Sequence, residues 1–338
     1  MKELTAALIA AALVMPVMDL AQAQTPQAGR GQNAAPIAAG RGAGPRSIVG
    51  LTASSPLMTA HVPLAQRIGH HDPARYNRLG PVHNGSGPMQ FMPLHDAQND
   101  LRLGSNLFFL HRGVLPPGGG IGGHYHNTCE EMFIIFGGEA EFTIDGRTST
   151  LKGPAGAPLR QGHWHAITNQ TKETLQFMNI NVSTIPGYYD AFDLSDGRVG
   201  APKDDVPTFM TMRLDRTLLR PVENMDGGTG TIQYRRALQP SVFVSAWSYV
   251  DHYVLPPGTS FGPVLRNNMS EAFYVMAGTG TAAISNESTP IKEGDAVPAA
   301  INETRSIHNT GTVPLELMVI GVAKDMDAKR EFIIRGGR

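Results

Sequence analysis

The stretch His124–Gly138, HYHNTCEEMFIIFGG, decides how the chain reads. Side chains alternate along a strand, so histidines two apart at His124 and His126 put both imidazoles on one face. After a short turn, Glu131 opens the apolar run MFIIF, and its carboxylate can return to that face. Further on, GHWHAITN offers His165 as a third imidazole. Three neutral nitrogens and one carboxylate converging on a point describe a metal site, because there is no cheaper explanation for burying them together.

Working outward, the sequence repeats itself. A constant shift of 140 lays SNLFFLHRGVLPPGG, from Ser105, on SAWSYVDHYVLPPGT, from Ser245. Glu131 falls on Glu271, Gly138 on Gly278, Asn169 on Asn309 and Ile180 on Ile320, with no gap between Ser105 and Val182. Each copy consists of short β-rich runs, such as AEFTI and AFYVMA, separated by Gly, Pro and Asn turns. With 38 Gly, 25 Pro and few long amphipathic runs, the composition points to an all-β protein. Antiparallel strands this short remove their edges by closing into a barrel or jelly roll, whose interior is lined by alternate residues of every strand.

The repeat also resolves a local ambiguity. Spacing alone allows either Glu130 or Glu131 as the ligand, but the shift puts Ser270 opposite Glu130 and Glu271 opposite Glu131. Alternation then turns Glu130 away from the imidazoles.

These residues resemble the cupins, and the duplication resembles a bicupin. The pattern G-x5-H-x-H-x4-E-x6-G is matched by Gly118, His124, His126, Glu131 and Gly138. The second, G-x5-P-x-G-x2-H-x3-N, is matched in part by Gly162, His165 and Asn169, with Pro154 and Arg160 standing where Gly and Pro are usual. The resemblance covers 105–182 and again 245–322. It implies duplicated double-stranded β-helix (jelly-roll) barrels and one metal per chain held by His124, His126, Glu131 and His165. Iron or manganese is the family expectation, with nickel, copper and zinc also accommodated by such ligands. It further implies an oxidoreductase, dioxygenase or oxalate-decarboxylase-like, acting on a small organic acid or phenolic compound. A redox-neutral lyase, isomerase or hydrolase is the alternative, and a non-enzymatic binding protein the third reading.

In the second copy His124 becomes Val264, His126 becomes Arg266 and His165 becomes Arg305, leaving only Glu271. A copy without imidazoles is expected to hold no metal, with Arg305 or Arg266 paired to Glu271 instead. Near the first site, His163 is a candidate general base and Arg160 a candidate carboxylate clamp. Phe133, Ile135 and Met178 suggest a partly apolar pocket. Trp164 and Tyr125 are expected to face away from the ligands, Cys129 is read as a spectator thiol in the turn, and His70, His71, His83 and His95 as surface or core histidines.

The ends and the charge complete the reading. Lys2, the run LTAALIAAALVMPVM and Ala21-Gln22-Ala23 read as a signal peptide over 1–23, and so as a periplasmic or secreted protein with no membrane contact after cleavage. Residues 24–60 read as a flexible linker, 61–190 as the first barrel, 191–240 as a connector with first strands of the second, and 241–338 as the second barrel. With 28 basic and 29 acidic residues the chain carries no charge excess that would suit a nucleic acid. The expected partner is a small-molecule substrate, and homo-oligomers formed through edge strands are compatible with such barrels.

Overall fold

Alternating apolar residues in the repeated runs form two β-barrels. The computed structural model describes residues 61–97, 103–193 and 201–337, and the backbone of 46–47. The expected signal peptide, 1–23, and nearly all of the expected linker, 24–60, lie outside the described residues. Within the described residues, no helix is long and apolar enough to cross a membrane.

In the first barrel a long sheet runs, from edge to edge, Met212–Arg213, Ala155–Leu159, Cys129–Ile135, Leu175–Ser183, Leu107–Leu115, Met89–Asp96 and Asn77–Leu79. Facing it is a second sheet of Phe192–Asp193, Gly120–Tyr125, His165–Thr168, Glu139–Ile144 and Arg147–Lys152. The second barrel repeats the plan, so that Leu107–Leu115 recurs as Trp247–Leu255, Ala155–Leu159 as Asp295–Ala299 and Leu175–Ser183 as Leu315–Ala323. The described strands pair antiparallel, so one residue step along any of them moves a side chain to the other face.

That alternation separates two cores. Phe133, Ile135, Phe142 and Phe177 fill the first barrel. Met132, Ile134, Met178, Ile180 and Val182 point out of it and pack with the second copy's core. Met178 therefore lies outside the pocket in which the sequence reading put it, because it is one residue out of phase with Phe177.

The two barrels also exchange edges. Gly69–His70 pairs with Asp295 and Ala296 of the second barrel, while Met212–Arg213 pairs with Ala155 and Gly156 of the first. The arm before the first barrel is pinned to the second by Leu64 N donating to Glu287 (2.6 Å) and by the Arg67–Glu303 ion pair (2.9 Å). This arm falls in the span 61–190 that the sequence reading gives to the first barrel, and its strand Gly69–His70 joins the sheet of the second. Strand pairing across the duplication is not encoded in local pattern.

Glu130, turned away from the imidazoles as alternation requires, reaches the second barrel. Its buried carboxylate accepts from Val244 N (2.9 Å) and Ser245 N (2.7 Å). The equivalent contact in the other direction joins Ser270 Oγ to Ser105 Oγ at 2.5 Å. Lys329, from the helix Met326–Ile334, donates to the carbonyls of Phe243 and Ser245 and closes the same corner. Glu130→Ala leaves two backbone N–H groups unpaired, so it should lower the unfolding free energy in urea by roughly 2–4 kcal/mol. The neighbouring metal ligands lie on the opposite face, so metal content should be unchanged.

Candidate metal centre

Three separate strands build the site. His124 lies on Gly120–Tyr125 with His126 just beyond it, Glu131 on Cys129–Ile135 and His165 on His165–Thr168. His165 is the cross-strand neighbour of His124, which brings the residue supplied by the second motif to the first. The approach is tight because Gly123 beside them has no side chain: a Cβ there would meet the Trp164 indole at 2.4 Å. The motif residues outside the ligands hold turns. Gly118, Gly138 and Gly162 all have positive φ, which only glycine adopts freely. Asn169 pins the LPPG turn by donating to the carbonyls of Leu115 (2.8 Å) and Pro116 (3.1 Å).

All four side chains are buried, and one ligand atom from each lies within 4.8 Å of every other. Glu131 Oε2 is 3.0 Å from His165 Nε2 and 3.4 Å from both His124 Nε2 and His126 Nε2. Two ligands about 2.1 Å from one ion and at right angles to each other stand about 3 Å apart, so this spacing fits a shared transition metal. The remaining ring nitrogens are already engaged. His124 Nδ1 bonds the Gly122 carbonyl (2.9 Å), His126 Nδ1 that of Asp190 (2.5 Å) and His165 Nδ1 that of His163 (2.8 Å). Each carbonyl takes the Nδ1 proton and leaves the Nε2 lone pair pointing inward, the tautomer a metal requires. Asn179 Nδ2 donates to Glu131 Oε1 (2.9 Å), leaving Oε2 for the centre.

The protonation states are set by burial and by one another. Burial pushes His124 well below the usual imidazole range, and His83 and His165 beside it add to the effect. Burial lowers His165 as well, against the pull of Glu131. At His126 burial is outweighed by the charge and hydrogen bond of Glu131 and by the Asp190 carbonyl, so this ring is raised. Burial would raise Glu131, but His126 and hydrogen bonds from all three rings hold it well below the carboxylate range.

The other sequence candidates go elsewhere. The half-exposed His163 ring bonds Asp145 at 2.6 Å, and only its backbone carbonyl serves the site, through His165. Arg160 donates to the carbonyls of Val242 (2.7 Å) and Ser241 (3.3 Å), an inter-barrel contact. The structure brings neither side chain to the four ligands. Tyr125 faces outward onto Phe192 (ring centroids 5.2 Å apart). Cys129 begins a strand instead of sitting in the turn, and burial pushes its thiol up to about 11.

Several neighbours had no legible signal. His83 stacks on His124 with ring centroids 3.9 Å apart and bonds Asp193. Tyr189 lies 5.2 Å from the His126 ring. Asp190 clamps the turn after His126 by accepting from Asn127 N (3.0 Å) and Thr128 N (3.1 Å). Asn179 and Asn181 point into the barrel from the strand beside Glu131. Strand alternation from Phe177 marks both as inward-facing; nothing local reveals the others.

In the second barrel the equivalent point is filled by the protein. Arg305 Nε is 3.3 Å and Arg266 Nε 3.6 Å from Glu271 Oε2, and Tyr249 donates to Glu271 Oε1 at 2.5 Å. Among the described residues, the first-barrel quartet is the one group with the make-up of a metal site.

Comparisons with known proteins agree with this architecture. The sequence model described as "Cupin domain" matches residues 111–181 and again 251–321. An oxalate-binding protein of Thermotoga maritima is 28% identical over 113 residues, 33% of this chain and 93% of that protein. The structure of oxalate decarboxylase from Bacillus subtilis superposes with a TM-score of 0.54 at 15% identity, covering 80% of this chain and 78% of that one. Another structure of the Bacillus enzyme (TM-score 0.52, 14% identity, 80% of both chains) is described by its Mn(II) centres. A putative glyoxylate-induced protein from Pseudomonas aeruginosa gives 0.52 at 15% identity, over 70% of this chain and 80% of that one. At these identities the structural likeness speaks for the fold.

Because His126 holds its proton most firmly, metal entry should release that proton. The affinity of metal-free protein for Mn²⁺ or Zn²⁺ should therefore fall as pH drops from 8 to 6, by up to tenfold per unit. Titration calorimetry in buffers of different ionisation enthalpy measures both the affinity and the released proton.

Proposed function

We propose, for a chain that belongs to the cupin superfamily as a bicupin, that it is a metal-dependent enzyme. One centre, in the first barrel, would act on a small organic acid in the manner of oxalate decarboxylase. The observation that carries this reading is the complete His124–His126–Glu131–His165 set with every Nε2 turned inward, beside a twin barrel whose matching point holds arginines. A bound manganese or iron ion would supply a cationic, redox-capable anchor for the acid's oxygens. The chain's own residues would do the rest. The Gly122, His163 and Asp190 carbonyls keep the rings oriented, Asn179 keeps the carboxylate turned, and Phe133, 5.6 Å from the His165 ring, closes the inner side with hydrocarbon.

Decarboxylation of oxalate breaks one carbon–carbon bond, takes up one proton and yields formate and carbon dioxide with no net oxidation. An oxalate-decarboxylase-like reaction is therefore a lyase reaction, the redox-neutral alternative, and not the oxidoreductase, dioxygenase or oxalate-decarboxylase-like, expected from sequence. The relative described as oxalate-binding supports a second reading, in which the site holds the acid without turning it over. Purified protein should carry one metal equivalent per chain. With oxalate it should release formate without consuming oxygen in proportion, and His126→Ala should lose both metal and turnover while Arg305→Ala keeps the metal. Stoichiometric oxygen uptake would restore the dioxygenase, and tight oxalate binding without formate would establish the binding protein.

The same reading places the protein outside the cytoplasm, on the strength of residues 1–23. N-terminal sequencing of material from the native host should begin at Gln24. A chain that still starts at Met1 in the cytoplasmic fraction would overturn it.

A further inference from the structure

The strand Leu175–Ser183 carries two asparagines on its inward face, and their amides are not satisfied by the protein. Asn181 is fully buried, yet both its Oδ1 and its Nδ2 lack a hydrogen-bond partner. Asn179 is nearly as buried; its Nδ2 serves Glu131, but its Oδ1 is also unpartnered. Asn181 lies directly across the ladder from Glu131 on one side and Phe109 on the other. Residues opposite one another on paired strands share a face, so the open amide and the metal-binding carboxylate look into the same space. Leaving buried polar atoms unpaired is costly, and proteins rarely do so without a reason.

The duplication supplies an internal control. The second-barrel counterparts of Asn179 and Asn181 are Val319 and Gly321. There a Cβ on Gly321 would fall 2.2 Å from the Tyr249 ring, so the aromatic ring occupies the space and its hydroxyl bonds Glu271. In the second barrel a ring closes that volume; in the first, two asparagines with unpartnered amide atoms stand at the same strand positions.

The geometry points to Asn181, aided by Asn179 Oδ1, as the group that recognises the organic acid of the first-barrel site, selecting acids that carry a hydroxyl. This rests on the reading that the site takes a small organic acid, and it narrows the substrate class. The open set is two amide oxygens, which only accept, and one NH2, which only donates. A dianionic dicarboxylate has no proton to give and would leave both oxygens bare, whereas the singly protonated form, such as hydrogen oxalate, brings one O–H. A 2-hydroxy acid or a phenolic acid brings a carboxylate for the NH2 and an O–H for an amide oxygen.

The test uses metal-loaded full-length protein and titration calorimetry at pH 8 with matched probes: glycolate against acetate, salicylate against benzoate, and oxalate. Wild type should favour each hydroxyl-bearing acid at least tenfold over its partner. Chelation of the metal by the hydroxyl would contribute to that preference, so the deciding variant is Asn181→Leu. It should keep one metal per chain and cut the preference to under threefold. It should also melt about 2–4 °C higher, because a buried unpaired amide has been removed. An unchanged preference in Asn181→Leu, or a lowered melting temperature, overturns the assignment while the acid-binding site stands. If no probe binds the loaded wild type, both the assignment and the acid-binding reading fail.

Discussion

A glutamate carboxylate inside each barrel is the constraint around which the molecule is arranged. An isolated buried carboxylate is expensive, and the chain compensates it in two different ways. In the first barrel three imidazoles surround Glu131, their outer nitrogens tied to backbone carbonyls, and the cost is offset by the Asn179 amide and by the cation such a set is shaped to hold. In the second, two guanidiniums and a phenol do the work permanently. One inherited position thus yields a centre that needs an ion and a centre that has replaced it.

Strand alternation turns that single position into a division of labour. Glu130 and Glu131 are adjacent and equally buried, but they serve opposite faces of one strand. Glu131 looks into the barrel; Glu130 receives the backbone N–H groups of the second barrel and fixes the two copies together. The reciprocal edge strands, one from before the first barrel and one from between the two, reinforce the joint. The degenerate barrel is therefore part of the platform that keeps the ligand-bearing strands in place, and its loss of histidines costs the architecture nothing.

The interior of the first barrel departs from what stability alone would select. Asn179 and Asn181 put amides where the twin barrel has Val319 and Gly321, the latter covered by the Tyr249 ring. Such departures concentrate where function is served. The repeat makes them visible, since the same two strand positions carry a valine and a glycine in one copy and two asparagines with unpartnered amide atoms in the other.

The sequence by itself determined the duplication, the β class, the grouping of His124, His126, Glu131 and His165 and the orientation of Glu130, because each follows from fixed spacing: period two along a strand, and a constant shift between copies. It also put Arg266 and Arg305 beside Glu271. The tertiary structure decided what depends on contacts between distant segments. It sent Arg160 to the Ser241 and Val242 carbonyls and His163 to Asp145. It turned Met178 toward the other barrel, brought His83 and Asp190 to the ligands from far along the chain, and gave each barrel an edge strand from outside its own repeat. Such pairings are chosen by which edge or cavity is left open once the barrels have closed, and no local periodicity records that choice.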